Sequence, residues 1–142
     1  MKKQSFENHS KLVMGFHGFT FLAMMGLFIG SLIALAKSTD ATFYGASLLV
    51  LNAIILMLLA FYLRSFALKA QDRAIRAEEK LRYFILTGKA ISNKISTRQL
   101  IGLRFASDEE FVELVHRAQK ENLSEKDIKK LIKNWKPDLY RV

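Results

Sequence analysis

The sequence contains no cysteine, and this absence excludes disulfide bonds, thiolate metal sites and cysteine nucleophiles. It also lacks the patterns G-x-x-x-x-G-K-[ST], G-x-G-x-x-G and G-x-S-x-G, which are typical of phosphate-binding loops, dinucleotide-binding folds and hydrolases. Glu113 and His116 share a helix face, but no second such pair completes a metal site. We therefore predict a protein that is not an enzyme and has no catalytic residues, cofactor or metal.

Charged residues are missing from two long segments. Residues 12–36 and 41–63 contain no Asp, Glu, Lys or Arg. A helix needs roughly 20 apolar residues to cross a bilayer, and in lipid a helix satisfies its own backbone groups. We predict a transmembrane hairpin closed by the linker "KSTD" (37–40). The alternative is a pair of buried helices in a soluble bundle, but a chain this short could hardly cover two helices that are apolar all round.

Basic residues outside the spans predict the orientation of this hairpin. They flank the start of the first span and the end of the second: Lys2, Lys3, Lys11, Arg64, Lys69, Arg73 and Arg76. The linker offers only Lys37, so the positive-inside rule places both termini in the cytoplasm. A cleaved signal peptide is the alternative, because "MKK" and "ALA" (34–36) resemble its ends. The apolar run is, however, much longer than the apolar core of a signal peptide, which has roughly 7–15 residues.

Small residues recur every four positions on the first span, at Gly26, Gly30 and Ala34. This spacing lets another helix approach closely. We expect the second span to pack there, through the small residues at 45–47. Self-association between chains is the alternative.

A heptad pattern follows the second span. Its apolar positions are spaced alternately by four and three residues, and we call them the alanine seam: Leu63, Ala67, Ala70, Ala74, Ala77, Leu81 and Phe84. Alanine is the best helix former, so we predict one helix from about residue 42 to about residue 86. We expect the seam to pack against the chain's own C-terminal helices, with a second chain as the alternative.

The C-terminal part has signals for three short helices. Gly88 is a helix stop. Ser96 with Gln99, and Ser107 with Glu110, match the capping box at the starts of two helices. A third helix begins after Ser124 and is ended by Pro137. One apolar stripe on each helix can close a small core: Leu100, Ile101 and Phe105; Phe111, Leu114, Val115 and Ala118; Ile128, Leu131, Ile132 and Trp135.

The last predicted helix is strongly basic. Five lysines surround its apolar stripe: Lys126, Lys129, Lys130, Lys133 and Lys136. They are either the solvated face of a packed helix, a membrane-surface helix or a polyanion contact. From residue 64 onward the chain has 18 Lys and Arg against 11 Asp and Glu, which favours anionic lipid headgroups as a partner. Nucleic acid is disfavoured, because the aromatic residues typical of single-strand binding are missing.

Three blocks carry a resemblance over nearly the whole chain: "FALKAQDRAIRAEE", "LRFASDEEF" and "IKNWKPD" with the terminal "YRV". In this order they resemble an uncharacterised family of small bacterial two-span membrane proteins. The resemblance implies a bacterial inner-membrane protein with a helical cytoplasmic tail. It implies no activity, cofactor or site residue.

These patterns predict an all-α protein in four parts. They are a cytoplasmic tail (1–11), the hairpin (12–63), a juxtamembrane helix (64–86) that continues the second span, and a helical module (87–142). We expect a membrane-anchored adaptor or accessory subunit that presents a basic surface to a protein partner or to the inner leaflet. A second copy of the chain is a further candidate partner. The alternative is a membrane-tethered module that binds RNA, ribosomes or anionic lipid.

Overall fold

A computed structural model describes residues 5–7 and 13–138, and over this part of the chain the fold is all-α, as predicted. The π-helical segment Gly15–Thr20 continues directly into α1 (Phe21–Ala36). The remaining helices are α2 (Phe43–Thr87), α3 (Thr97–Leu103), α4 (Asp108–Lys120) and α5 (Glu125–Leu131). The structure describes only residues 5–7 of the predicted N-terminal tail. The predicted boundary between this tail and the first span lies outside the described residues.

The chain divides into two compact units. One is Lys11–Ala67; the other is Leu68–Val142 together with Met1–Ser10. In the first unit the helix Gly15–Ala36 and the apolar part of α2 are each long and apolar enough to cross a membrane. Most of their large side chains point outward, including Phe19, Leu22 and Phe61, which are 77%, 69% and 66% exposed.

Some small residues are buried in this unit, but they are not the ones that recur every four positions on the first span. Ser31 on α1 and Ala46 and Ala53 on α2 are buried. By contrast Gly26, Gly30 and Ala34 are exposed, and a methyl group placed on either glycine would meet no atom within 4 Å. The expectation that the second span packs on this stripe is therefore wrong. The alternative of contact between chains stays a prediction.

The long helix α2 is continuous from Phe43 to Thr87, close to the bounds that the sequence predicts. Its 45 residues span about 68 Å at 1.5 Å per residue. It ends at Thr87, and the next residue, Gly88, adopts a φ of 68° and donates its N–H to the Phe84 carbonyl at 2.8 Å. Because a left-handed φ is strained for other residues, this glycine acts as the predicted stop.

The second unit has a continuous apolar core. Its largest fully buried side chains come from α3, α4, α5 and the segment after α3: Leu100, Leu103, Phe105, Phe111, Val115 and Ile128. Tyr83 from α2 joins the same cluster, so the long helix forms one wall of the module. The predicted stripes of α3 and α4 are thus confirmed as core.

All three short helices begin where the sequence predicts, after Ser96, Ser107 and Ser124. Ser96 and Gln99 form the capping box, and the Ser124 hydroxyl accepts from the Asp127 N–H. At α4 only the predicted capping box is wrong, because the Ser107 side chain makes no capping bond. Glu110 instead uses its carboxylate elsewhere, as described below.

The basic C-terminal helix is shorter than predicted. α5 ends at Leu131, and Ile132 already has extended backbone angles. Trp135 forms an isolated antiparallel bridge with Ala106, and the Lys136 N–H donates to the Phe105 carbonyl at 2.8 Å. The Glu110 carboxylate stabilises this turn by accepting the N–H groups of residues 133 and 134 at 3.1 and 2.9 Å. The chain therefore leaves the helix six residues before Pro137, since the turn is satisfied from α4.

Candidate functional site

Arg82 on α2 connects the long helix to the module. Its guanidinium forms an ion pair with Glu79 at 3.2 Å and donates to the Asp108 carboxylate at 2.6 Å. A further N–H donates to the Ala106 carbonyl at 2.7 Å. The guanidinium carbon also lies 4.2 Å from the ring centre of Phe111, within cation–π distance. Arg82 thus engages two acids, a backbone oxygen and the aromatic core at once.

Glu79 lies next to Arg82 and is buried against the module. Burial raises the pKa of its carboxyl above the ordinary value of 4.5, because removal from water disfavours the charged form. The positive charges of Arg82 and Lys136 act in the opposite direction and lower it, but only in part. The pKa of Glu79 is therefore raised overall, so its ionised carboxylate is less favourable here than in water.

A polar cavity of about 190 Å³ opens beside Glu79. We call it the groove; it is lined by α2, by Arg104 and by the C-terminal segment: Gln71, Ala74, Ile75, Glu78, Glu79, Arg104, Lys136, Pro137 and Asp138. Across it, Arg104 forms an ion pair with Asp138 at 3.2 Å and lies 4.6 Å from the ring centre of Phe105. The lining of the groove therefore contains three acidic and two basic side chains, so its charge is nearly balanced.

The side-chain amide of Gln71 adds a polar group to the groove. The Gln71 side-chain oxygen is buried and accepts no hydrogen bond from the described residues. Buried polar atoms of this kind are rare in folded proteins, because each unsatisfied group costs about 1–3 kcal/mol. The groove thus offers one acceptor in addition to its paired charges.

The alanine seam lies on a different face of α2 from the one that packs on the module. The packed face carries Ile75, Glu79 and Tyr83, which are buried. Ala70, Ala74 and Ala77 are exposed; in the first unit, Ala67 is half-buried. The expectation that the tail helices cover the seam is therefore wrong for the part that lies in the second unit.

The five lysines of the predicted basic surface do not form one set. Lys126, Lys130, Lys133 and Lys136 are exposed, but only the first two lie on α5. Lys129 is buried, forms an ion pair with Glu125 at 2.7 Å and lies 5.3 Å from the ring centre of Phe105. Lys129 is thus part of the packing, which corrects its assignment to the contact surface.

Among the described residues, no three His, Asp or Glu side chains come close enough to hold a metal ion. His116 is exposed and makes an edge contact with the Tyr83 ring, and His17 bonds the Val13 carbonyl through its ring nitrogen. Some of the charged groups that line the groove form ion pairs, Asp138 with Arg104 and Glu79 with Arg82. Over the described residues the other two, Glu78 and Lys136, form none. Such an arrangement can hold a polar or charged group of a partner by exchanging those pairs.

The comparison with protein families gives one result. The pattern of a family of unknown function (DUF6526) matches residues 1–142. The chain belongs to DUF6526. This confirms the predicted resemblance to an uncharacterised family, while its bacterial origin and two spans stay predictions. Neither a curated protein nor a solved structure matches the chain.

In this DUF6526 chain the sequence pattern missed the groove and the Arg82 contacts. Periodicity identifies helix faces by their apolar residues, and the packed face of α2 has Glu79 at its centre. Spacing alone would also pair Arg82 with Glu78 at i,i+4, whereas in the structure Arg82 turns to Glu79 and Asp108. The sequence does contain a signal for this contact. Glu79 and Arg82 are three residues apart, and this spacing places opposite charges next to each other on a helix.

Proposed function

We propose that the chain is a non-catalytic, membrane-anchored adaptor or accessory subunit with both termini in the cytoplasm of a bacterial cell. The observation that carries this proposal is the outward orientation of the apolar side chains on two membrane-length helices. Burying a side chain such as Phe19 or Leu22 is worth about 1.5–3 kcal/mol relative to leaving it in water. Because many such residues are exposed together, these two helices are more stable in lipid than in water.

The module beyond the hairpin supports the adaptor role. Its core and capping interactions give it a defined surface on which the groove and the exposed lysines are presented. Arg82 and Glu79 tie this surface to α2, the helix that also provides the second span. A partner bound at the groove would thus contact the anchoring helix directly, through Gln71 and Glu78.

Anchoring and topology can be tested because the chain has no cysteine of its own. In intact cells, Thr39→Cys should react with an impermeant maleimide from the periplasmic side. Lys120→Cys should react only after the membrane is opened. The protein should also stay in the membrane after carbonate extraction. Release by carbonate, or labelling of Lys120→Cys in intact cells, would contradict the proposed anchoring.

The adaptor role needs its own experiment. A photo-crosslinking amino acid at Lys136, on the rim of the groove, should capture a specific protein in native membranes. The same group at the exposed Lys120 on α4 serves as the matched control. Equal products at both positions, or none other than lipid, would argue against a partner at the groove.

The second candidate is a membrane-tethered module that binds a polyanion, and the exposed lysines of the C-terminal segment favour it. Lys126→Gln, Lys130→Gln and Lys133→Gln together should weaken binding to anionic vesicles or to RNA. Binding should fall steeply with salt, because phosphate contacts release counterions. Neutralising Lys89, Lys94 and Lys120 makes the same change in charge elsewhere and is the control. Salt-independent binding would exclude this candidate.

A further inference from the structure

Large apolar side chains are exposed on α2 within the second unit. Leu81, Phe84 and Ile85 are 59%, 53% and 72% exposed. Together with Ala70, Ala74 and Ala77 they form a continuous surface that we call the outer face. Isolated exposed apolar residues are normal, but a continuous row on one helix face is typical of a contact surface.

The outer face points largely away from the face that packs on the module, and of its residues only Ala74, at the edge, also lines the groove. At about 100° per residue, Ala77 and Leu81 each lie about 160° around the helix from the buried Glu79. Contact with the module therefore leaves the outer face uncovered. What covers it must come from outside the described part of the chain.

The flanking charges indicate which occupant fits. With Ala74 and Leu81 at heptad position a, and Ala70, Ala77 and Phe84 at d, the g and e positions carry Arg73 and Glu78. In a parallel two-helix coiled coil, each g residue faces the e residue five positions later on the other helix. Arg73 of each copy then faces Glu78 of the other, which gives two attractive pairs.

Both charges are available for such pairs. Arg82, the i,i+4 neighbour of Glu78, is engaged with Glu79 and Asp108. Over the described residues neither Arg73 nor Glu78 forms an ion pair, and both are exposed. The next g and e positions are Lys80 and Ile85, where the aliphatic stem of the lysine can cover the isoleucine.

We propose that the outer face of α2 pairs with the same face of a second copy in a parallel coiled coil. The parallel orientation rests on the proposed function, because two copies inserted the same way in one membrane have parallel α2 helices. Alanine positions bury little area, so this contact is weak between free chains. Confinement to one membrane raises the effective concentration and favours the pair.

Disulfide crosslinking of the full chain in native membranes tests the proposal. Ala74→Cys and Ala77→Cys should each give several-fold more disulfide dimer than Arg76→Cys, an exposed position on the same turns of α2 that faces away from the seam. Equal dimer yields at these positions overturn the proposal. A crosslinked product from Ala77→Cys with the mass of a different protein overturns it as well.

Charge reversal provides the second measurement. In the Ala77→Cys background, Arg73→Glu or Glu78→Arg replaces two attractive pairs by two repulsive ones, and dimer yield should fall on the order of tenfold. Arg73→Glu with Glu78→Arg should restore it. Failure of the double variant to recover overturns the parallel register. Retention after carbonate extraction is scored separately, so a chain that stays in the membrane without dimer crosslinks refutes only the pairing. A chain that crosslinks but is extracted refutes only the anchoring.

Discussion

Replacing Arg82 by methionine should destabilise the module, and by an amount that depends on pH. Methionine keeps an apolar stem over Phe111 but removes the charge that faces Glu79. The side chains of Arg82 and Glu79 are only 11% and 9% exposed, so the pair is screened little by water. Loss of one partner leaves the other as an uncompensated buried charge. Asp108 is 63% exposed and is expected to add little.

The loss of stability has an upper limit, because the Glu79 carboxylate can take up a proton instead of remaining charged. From the ordinary carboxyl pKa of 4.5, neutralising it at pH 7 costs about 3.4 kcal/mol, at 1.36 kcal/mol for each pH unit. At pH 5 the same cost is below about 1 kcal/mol. The lost bond to the Ala106 carbonyl adds about 1 kcal/mol at either pH. We expect a loss of about 2–4 kcal/mol at pH 7 and of about 1–2 kcal/mol at pH 5.

The sign follows from the raised pKa of Glu79. Because burial raises that pKa in the folded state, the folded protein holds this proton more tightly than the unfolded chain. The stability that protonation contributes is fully present below pH 4.5 and is lost as the pH rises through the folded-state pKa. Removing Arg82 raises that pKa further and extends the loss toward pH 7.

The assay is urea unfolding of the full chain in mild detergent, followed by tryptophan fluorescence. Trp135 is the only tryptophan, and its ring centre lies 5.0 Å from that of Phe105, so its emission reports on the module. Arg76→Met is the exposed control and should stay within about 0.5 kcal/mol. Adding Glu79→Gln to Arg82→Met should remove the pH dependence. An equal loss at pH 5 and pH 7, or a loss below about 1 kcal/mol at both, would refute the reasoning.

Three further substitutions should alter the same unfolding transition. Gly102→Ala should lower the free energy of unfolding by about 1–3 kcal/mol, because a methyl group there would lie 3.1 Å from the backbone oxygen of Glu125. Wild-type stability of this variant would show that α5 can move away from the methyl group without cost. Gln99→Leu should cost about 2–3 kcal/mol, since its buried amide donates to two backbone carbonyls at 3.1 Å; a neutral result would argue against those bonds. Glu110→Ala should cost about 1–2 kcal/mol and shift the Trp135 emission toward that of exposed tryptophan, whereas unchanged emission would separate the turn from this carboxylate.

The predictable part of the fold depends on local signals. The continuity of α2, its stop at Gly88 and the starts at Ser96 and Ser124 follow from helix propensity, backbone strain and capping, which act within a few residues. The stripes of α3 and α4 follow from apolar periodicity. Each of these signals depends only on residues that are close together in the sequence. For this reason it could be read without the structure, and the structure confirms it.

The remaining features depend on partners that are distant in the chain. Glu110 leaves its predicted capping box because the N–H groups of residues 133 and 134 need an acceptor after the helix ends. The fourth position of the basic series, Lys133, consequently lies outside α5, and Lys129 turns to Glu125 and the Phe105 ring. No spacing rule contains this information, because it concerns which backbone groups another element leaves unsatisfied.

The face of α2 that the module uses also explains why the alanine seam is uncovered. A periodicity analysis assigns contact to the most regular apolar stripe, and on α2 that stripe runs through Ala70, Ala77 and Phe84. The module instead packs on Ile75, Glu79 and Tyr83, where the Arg82 interactions offset the burial of a carboxylate. A helix that faced only its own module would have no need of a second apolar stripe flanked by opposite charges. The pairing of two copies that we propose would account for this second stripe, because it gives Arg73 and Glu78 the partners that the module does not supply.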